Sequence, residues 1–148
     1  MNDITSYMLE QTKKILSIDS PTGFTAHAAE YVLGAYKKLG YDAKLTNKGG
    51  IFVCVNDGPD QADDPADAPI LLEAHMDTLG GMVCSINEKG RLMLSALGGM
   101  NPNNAEAENC RVYTRSGKVY SGTFQLKNAS IHVNGSYNDT CLLYTSDA

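Results

Sequence analysis

The chain has 148 residues, a net charge of −5, and the apolar and charged fractions of a soluble globular protein. That is enough for one ordinary domain or two small ones. The acidic balance argues against a nucleic-acid binder, which favours a basic face, and no stretch approaches the roughly 20 apolar residues that span a bilayer.

The start, Met1-Asn2-Asp3-Ile4, has neither the basic residues nor the apolar core of a secretory signal, so the expected location is cytoplasmic. Four widely spaced cysteines, Cys54, Cys84, Cys110 and Cys141, contain no Cys-x-x-Cys pair. Without a secretory signal they read as free or buried thiols rather than a disulfide framework.

From the N-terminus, Ile4, Tyr7, Met8, Ile15 and Leu16 recur at helical spacing and predict a first helix with Asp3 as N-cap and this stripe as core. Ser20-Pro21-Thr22-Gly23 interrupts it. A second helix is expected from about Thr25, with Ala29, Val32, Leu33, Tyr36 and Leu39 on its apolar face and Gly40 at its end. The period then changes. Residues 41–46 and 51–55 read as strands joined by the turn Asn47-Lys48-Gly49-Gly50, a hairpin pattern.

Residues 56–68 mix Asp57, Asp60, Asp63, Asp64 and Asp67 with Pro, Gly and Ala. Such a stretch cannot bury enough apolar surface to offset its ordering entropy. The ligand spacing of an EF-hand is absent, and a solvated surface loop is the expectation.

The most informative run follows: Pro69-Ile70-Leu71-Leu72-Glu73-Ala74-His75-Met76-Asp77-Thr78-Leu79-Gly80. An apolar segment of strand length delivers a histidine and a carboxylate, two residues apart, to a Gly-Gly turn. Side chains at i and i+2 of an extended chain share a face, so His75 and Asp77 converge on one object. In open α/β sheets ligands bind at the strand's carboxyl end. A neutral imidazole suits zinc or cobalt, and a nearby carboxylate fixes its orientation and raises its basicity. A lone His-x-Asp arises easily by chance; the apolar run before it and Gly80-Gly81 after it give it meaning. Glu73, two residues before His75, is a weaker candidate on the same face.

Beyond the motif the period is two. Residues 82–86 and 92–94 around Asn87-Glu88-Lys89-Gly90 predict a hairpin, as do 110–114 and 119–124 around Arg115-Ser116-Gly117. Gly98-Gly99 opens a polar loop through Asn104, and 129–133 is a last expected strand. Short strands with Gly-rich turns indicate a small barrel or sandwich. The chain thus starts α/β and finishes all-β, with the change just after Asp77. His27 reads as a surface or boundary residue and His132 as a β-barrel position.

These residues resemble the cytoplasmic TET-type metalloaminopeptidases, a group of glutamyl and deblocking aminopeptidases, some of which carry the label endoglucanase M. The matching stretches are Ser20-Pro21-Thr22-Gly23, Leu39-Gly40-Tyr41, Thr46-Asn47-Lys48-Gly49 and above all Ala74-His75-Met76-Asp77-Thr78-Leu79-Gly80. Further matches are Gly90-Arg91-Leu92, Gly98-Gly99, Glu108-Asn109-Cys110, the Gly117-to-Gly122 hairpin and Ser130-Ile131-His132-Val133. In order, they cover most of residues 4 to 134.

The resemblance implies an α/β fold class: the N-terminal part of a two-metal aminopeptidase domain over residues 1–80, followed by an inserted small β-barrel used in assembly over 81–135. It implies His75 as a metal ligand, Asp77 as the catalytic carboxylate that steers it, and two divalent ions, zinc or cobalt, in the complete enzyme. Peptide substrates and a homo-oligomer follow from the same resemblance, with neither nucleic acid nor membrane as a partner.

In that family a bridging Asp, a Glu-Glu pair, a further Asp and a second His complete the site. All of these would lie beyond residue 134, and no Glu occurs after Glu108. Residues 136–148 form an anomalous tail whose last eight resemble translated adapter read-through rather than a continuation of the fold. The expectation is therefore a fragment without turnover of its own. Two alternatives stay open: a related two-metal dipeptidase or deacylase, and a non-catalytic β-barrel assembly or binding module.

Overall fold

A computed structural model describes residues 3–55, 70–126 and 132. It mixes helix and strand and divides into two compact units, Met1–Thr78 and Leu79–Ala148. Among the described residues no helix is long and apolar enough to cross a membrane.

In the first unit, α1 (Asp3–Leu16) and α2 (Ala26–Lys38) are the two helices the 3.6-residue period predicts. Asp3 lies inside the first turn of α1 rather than capping it, a position where a carboxylate favours the helix dipole. Thr25 caps α2 by position without a side-chain bond, and Gly40 takes φ 91° just past its end, where a side chain would be strained. Helix α2 packs against both α1 and the hairpin of β1 (Lys44–Leu45) and β2 (Ile51–Phe52). The Tyr31 hydroxyl donates to Gln11 Oε1 at 2.6 Å and ties the helices together. The β1–β2 turn closes on Thr46, whose hydroxyl accepts from the Gly50 amide at 3.0 Å.

The expected core stripes are only partly covered. Helix α1 buries none of its residues, whereas α2 buries Ala28 and Ala29. The apolar run before the His-x-Asp motif also differs from expectation. Residues 70–77 form no strand, and Ile70, Leu71 and Leu72 are 87%, 70% and 89% exposed. A strand needs neighbours on its ladder; among the described residues the only pairing beside this segment is a single parallel bridge between Pro21 and Thr78.

Among its described residues the second unit holds two antiparallel hairpins, in the places the sequence predicts. Strands β3 (Gly80–Ile86) and β4 (Leu92–Leu97) pair from Gly80↔Leu97 to Ile86↔Leu92, with a register shift at Cys84. Their turn is held by Asn87, whose side-chain oxygen accepts from the Lys89 and Arg91 amides at 3.0 and 2.9 Å. Strands β5 (Asn109–Tyr113) and β6 (Val119–Thr123) pair in unbroken register. Among the described residues the two hairpins share no ladder.

Residues 101–104, expected as loop, instead carry the single-turn helix α3 (Pro102–Ala105). The Asn101 side chain caps it by accepting from the Asn103 amide, and proline stands at its start. The acidic 56–68 loop and all of the 129–133 strand but His132 lie outside the described residues; His132 itself sits exposed in a turn. Cys54 and Cys84 are exposed and Cys110 is half-buried, and none of the three is in a disulfide.

Gly98 links β4 to α3 at φ 73°, and a Cβ there would sit 2.8 Å from Leu79 Cδ2. Gly99 beside it has open space and no left-handed φ. Gly98→Ala is therefore expected to destabilise the second unit by about 1–2 kcal/mol through the left-handed backbone alone, with Gly99→Ala well below that. Chemical denaturation of the two variants checks the pair; equal losses would contradict this account.

A candidate metal-ligand site at His75 and Asp77

Ser20, Pro21 and Thr22 run alongside Met76, Asp77 and Thr78 in a short parallel strip. The Thr78 amide donates to the Ser20 carbonyl at 2.8 Å, and the Thr22 amide to the Thr78 carbonyl at 3.3 Å. A third stitch comes from Ser20, 2% exposed, whose hydroxyl donates to the Met76 carbonyl at 2.8 Å. Satisfying a carbonyl from a buried hydroxyl holds the segment that precedes Asp77 at a defined depth. The local fold thus brings residues some 55 positions apart into register.

On this strip His75 and Asp77 meet. The His75 Nδ1 lies 3.1 Å from Asp77 Oδ1 and 3.1 Å from the Asp77 carbonyl oxygen. Both partners are oxygens that only accept, since a carboxylate and a carbonyl carry no proton at neutral pH. Nδ1 therefore bears the hydrogen, and in the neutral ring Nε2 is left with an open lone pair. The other carboxylate oxygen, Oδ2, accepts from the Thr22 hydroxyl at 2.7 Å. Both oxygens of Asp77 are engaged, one by the group it orients and one by a group that orients it.

Burial contributes little to holding the ring. The His75 side chain is 87% exposed and that of Asp77 39%. The site borders an open cleft of about 290 Å³, framed by the turns at Thr22–Gly23 and Lys48–Gly50. That is the low end of what small-ligand sites offer. Glu73 is exposed, and the hydrogen bonds of the pair run to each other and to Thr22 rather than to it. His27 lies on the surface, edge-on to Phe24.

As a metal site the donor set fits one coordination position. Nε2 of His75 has the free lone pair and the carboxylate-bound tautomer that a metal ligand needs. Among the described residues, however, no group of three or more His, Cys, Asp or Glu side chains gathers to hold an ion.

Thr22 is the site residue that sequence reasoning missed. Its tetrapeptide reads as a helix breaker, and nothing local ties its hydroxyl to a carboxylate so far along the chain. The signal available was its presence in a stretch matching the same family as the His-x-Asp run.

The Thr22 hydroxyl, and less strongly the His75 imidazole, hold the Asp77 carboxyl below its ordinary range. A lowered carboxyl pKa contributes stability that is present above the unfolded value and lost as pH falls through the folded one. Carbon-detected NMR is expected to place the Asp77 titration below the roughly 3.9 of an unfolded aspartate, with the Thr22 contact opening as that lower pH is crossed. A midpoint at or above the unfolded value would contradict the geometry.

Comparison with known proteins agrees with the motif. The family model described as M42 glutamyl aminopeptidase matches residues 50–141. A Bacillus subtilis (strain 168) protein named aminopeptidase YhfE is 36% identical over 125 residues, 84% of this chain and 34% of that protein. The glutamyl aminopeptidase of Lactococcus lactis subsp. cremoris (strain MG1363) is 32% identical over 112 residues, 75% of this chain and 30% of its own length. The chain spans about a third of these curated relatives, and with well over half of its residues inside the family model it belongs to the M42 glutamyl aminopeptidase family.

Proposed function

We propose that this chain is a portion of a two-metal aminopeptidase that hydrolyses N-terminal peptide bonds, and that His75 supplies one metal-ligand position of its site. The observation that carries the reading is the His75–Asp77 contact, which in the neutral ring leaves Nε2 unprotonated on a largely exposed side chain. Family membership and the aminopeptidase names of both relatives support it.

In this reading residues 1–80 are the first part of the α/β catalytic domain and 81–135 belong to an inserted β-barrel used in assembly. The two hairpins of the second unit are the kind of element such a barrel is made from. The location is cytoplasmic, the substrates are peptides, and the complete protein is a homo-oligomer.

The roles of the chain's own groups follow from their chemistry. His75 offers Nε2 as a neutral donor, so an ion can bind there without displacing a proton. Asp77 keeps the ring in that tautomer and stabilises positive charge drawn onto the imidazole. Two divalent ions, zinc or cobalt, would supply an acidified water and charge stabilisation for the developing oxyanion. A carboxylate general base is also required, and Asp77 is already committed on both oxygens.

The chain by itself is therefore expected to show no turnover of amino-acid p-nitroanilides with added zinc or cobalt. Measurable hydrolysis by the purified 148-residue chain, absent from its His75→Ala variant, would refute that expectation. Zinc titration followed by imidazole nitrogen NMR tests the ligand itself. The expected result is weak binding that moves the His75 Nε2 resonance, leaves His27 unmoved and disappears in His75→Ala. An unmoved His75 resonance would remove it as a ligand.

A further inference from the structure

We propose that Thr22 is a positioning residue for the His75 imidazole, acting through Asp77. The inference rests on the reading of His75 as a metal ligand for its purpose, though not for its geometry. With a side chain 87% exposed, His75 has little packing to set its ring plane. What orients it is the contact of Nδ1 with Asp77. A carboxylate whose only partner is an exposed imidazole can turn about its Cβ–Cγ bond and carry the ring with it; a second hydrogen bond from a fixed donor opposes that rotation. The second hold on Asp77 is the 2.7 Å bond from the Thr22 hydroxyl to Oδ2.

Thr22 can serve as an anchor because its own backbone is fixed. Its amide is bonded to the Thr78 carbonyl, and the preceding Ser20 is joined to this segment through both its carbonyl and its buried hydroxyl. On its other side the Phe24 amide closes a turn on the Pro21 carbonyl at 2.7 Å, with Gly23 at φ 85°. The hydroxyl is thus presented from a strip stitched to the segment that carries the pair. Valine matches threonine in shape but lacks the donor, and serine keeps the donor without the methyl group.

The test is the tautomer of His75 in the metal-free 148-residue chain, read from its two ring nitrogens by NMR at a pH well above the imidazole range. An imidazole without a fixed partner populates both tautomers. The wild-type chain and Thr22→Ser are expected to show Nδ1–H alone, and Thr22→Val a loss of that single-tautomer signature. Ser20→Ala, which weakens the strip without touching the carboxylate, is expected to keep it.

Retention of the signature in Thr22→Val would overturn the proposal. So would its loss in Thr22→Ser, or an equal loss in Ser20→Ala, which would assign the effect to the strip rather than to the hydroxyl. Zinc added afterwards separates the two readings. A tautomer that obeys Thr22 in a chain whose His75 ignores zinc keeps the positioning role and rejects the metal-ligand role.

Discussion

The pairing of residues 20–22 with 76–78 is the constraint on which the site depends. It is a parallel contact, and parallel segments cannot be joined by a tight turn; the chain must cross over between them. Here the crossover contains α2 and the β1–β2 hairpin, which pack on one another. Closing so long a loop costs only logarithmically more entropy than closing a short one. A few well-made bonds are therefore enough to hold it, provided they lie where water does not compete. Ser20 meets that condition: it is among the most buried residues described, and its hydroxyl is spent on the segment that carries Asp77.

Much of this fold is legible in the sequence because its elements are local. Helices α1 and α2 follow from the recurrence of apolar residues, and the hairpins around Asn87–Gly90 and Ser116–Gly117 from their turn chemistry. Even α3, read as loop, carries its signal openly in Asn101-Pro102, a capping residue followed by the imino acid that starts helices well. The meeting of His75 and Asp77 is also local, a consequence of the two-residue period. What stays hidden is the part that depends on distant sequence. A threonine inside a helix-breaking tetrapeptide gives no sign that its hydroxyl meets a carboxylate some 55 residues on.

The apolar run 70–72 fails as a strand for a related reason. Hydropathy shows that a segment is suited to burial, but burial also needs other elements to cover it. Among the described residues the buried apolar ones are Ala28, Ala29, Ala43 and Leu126, three of them alanines, while Ile4, Leu16, Phe52 and Ile70–Leu72 are all more than half exposed. At about 25 cal/mol for each Å² of apolar surface removed from water, alanines contribute little, and many of the large side chains that would contribute most remain in solvent. Hydrogen-bonded turns and hairpins form without such a core. A central parallel strand does not, since it needs covered faces as well as ladder partners.

This difference explains why the site is ordered in its details although it lies on a thinly packed framework. The elements of the arrangement act over different ranges. Metal affinity grows with the number of donors and needs contributions from several parts of a chain. The tautomer and plane of a single imidazole need only one carboxylate, and that carboxylate needs only one further donor. His75, Asp77 and Thr22 satisfy the second requirement by hydrogen bonds, with little help from burial of the ring itself. An imidazole already protonated on Nδ1 loses neither a proton nor an internal hydrogen bond when Nε2 binds an ion, so the cost of orienting the ligand falls on the fold before the metal arrives. Preorganisation of this kind fixes how one donor points, while the number of donors sets whether an ion stays; the first property is complete within these residues, and the second is a separate demand that one imidazole cannot meet.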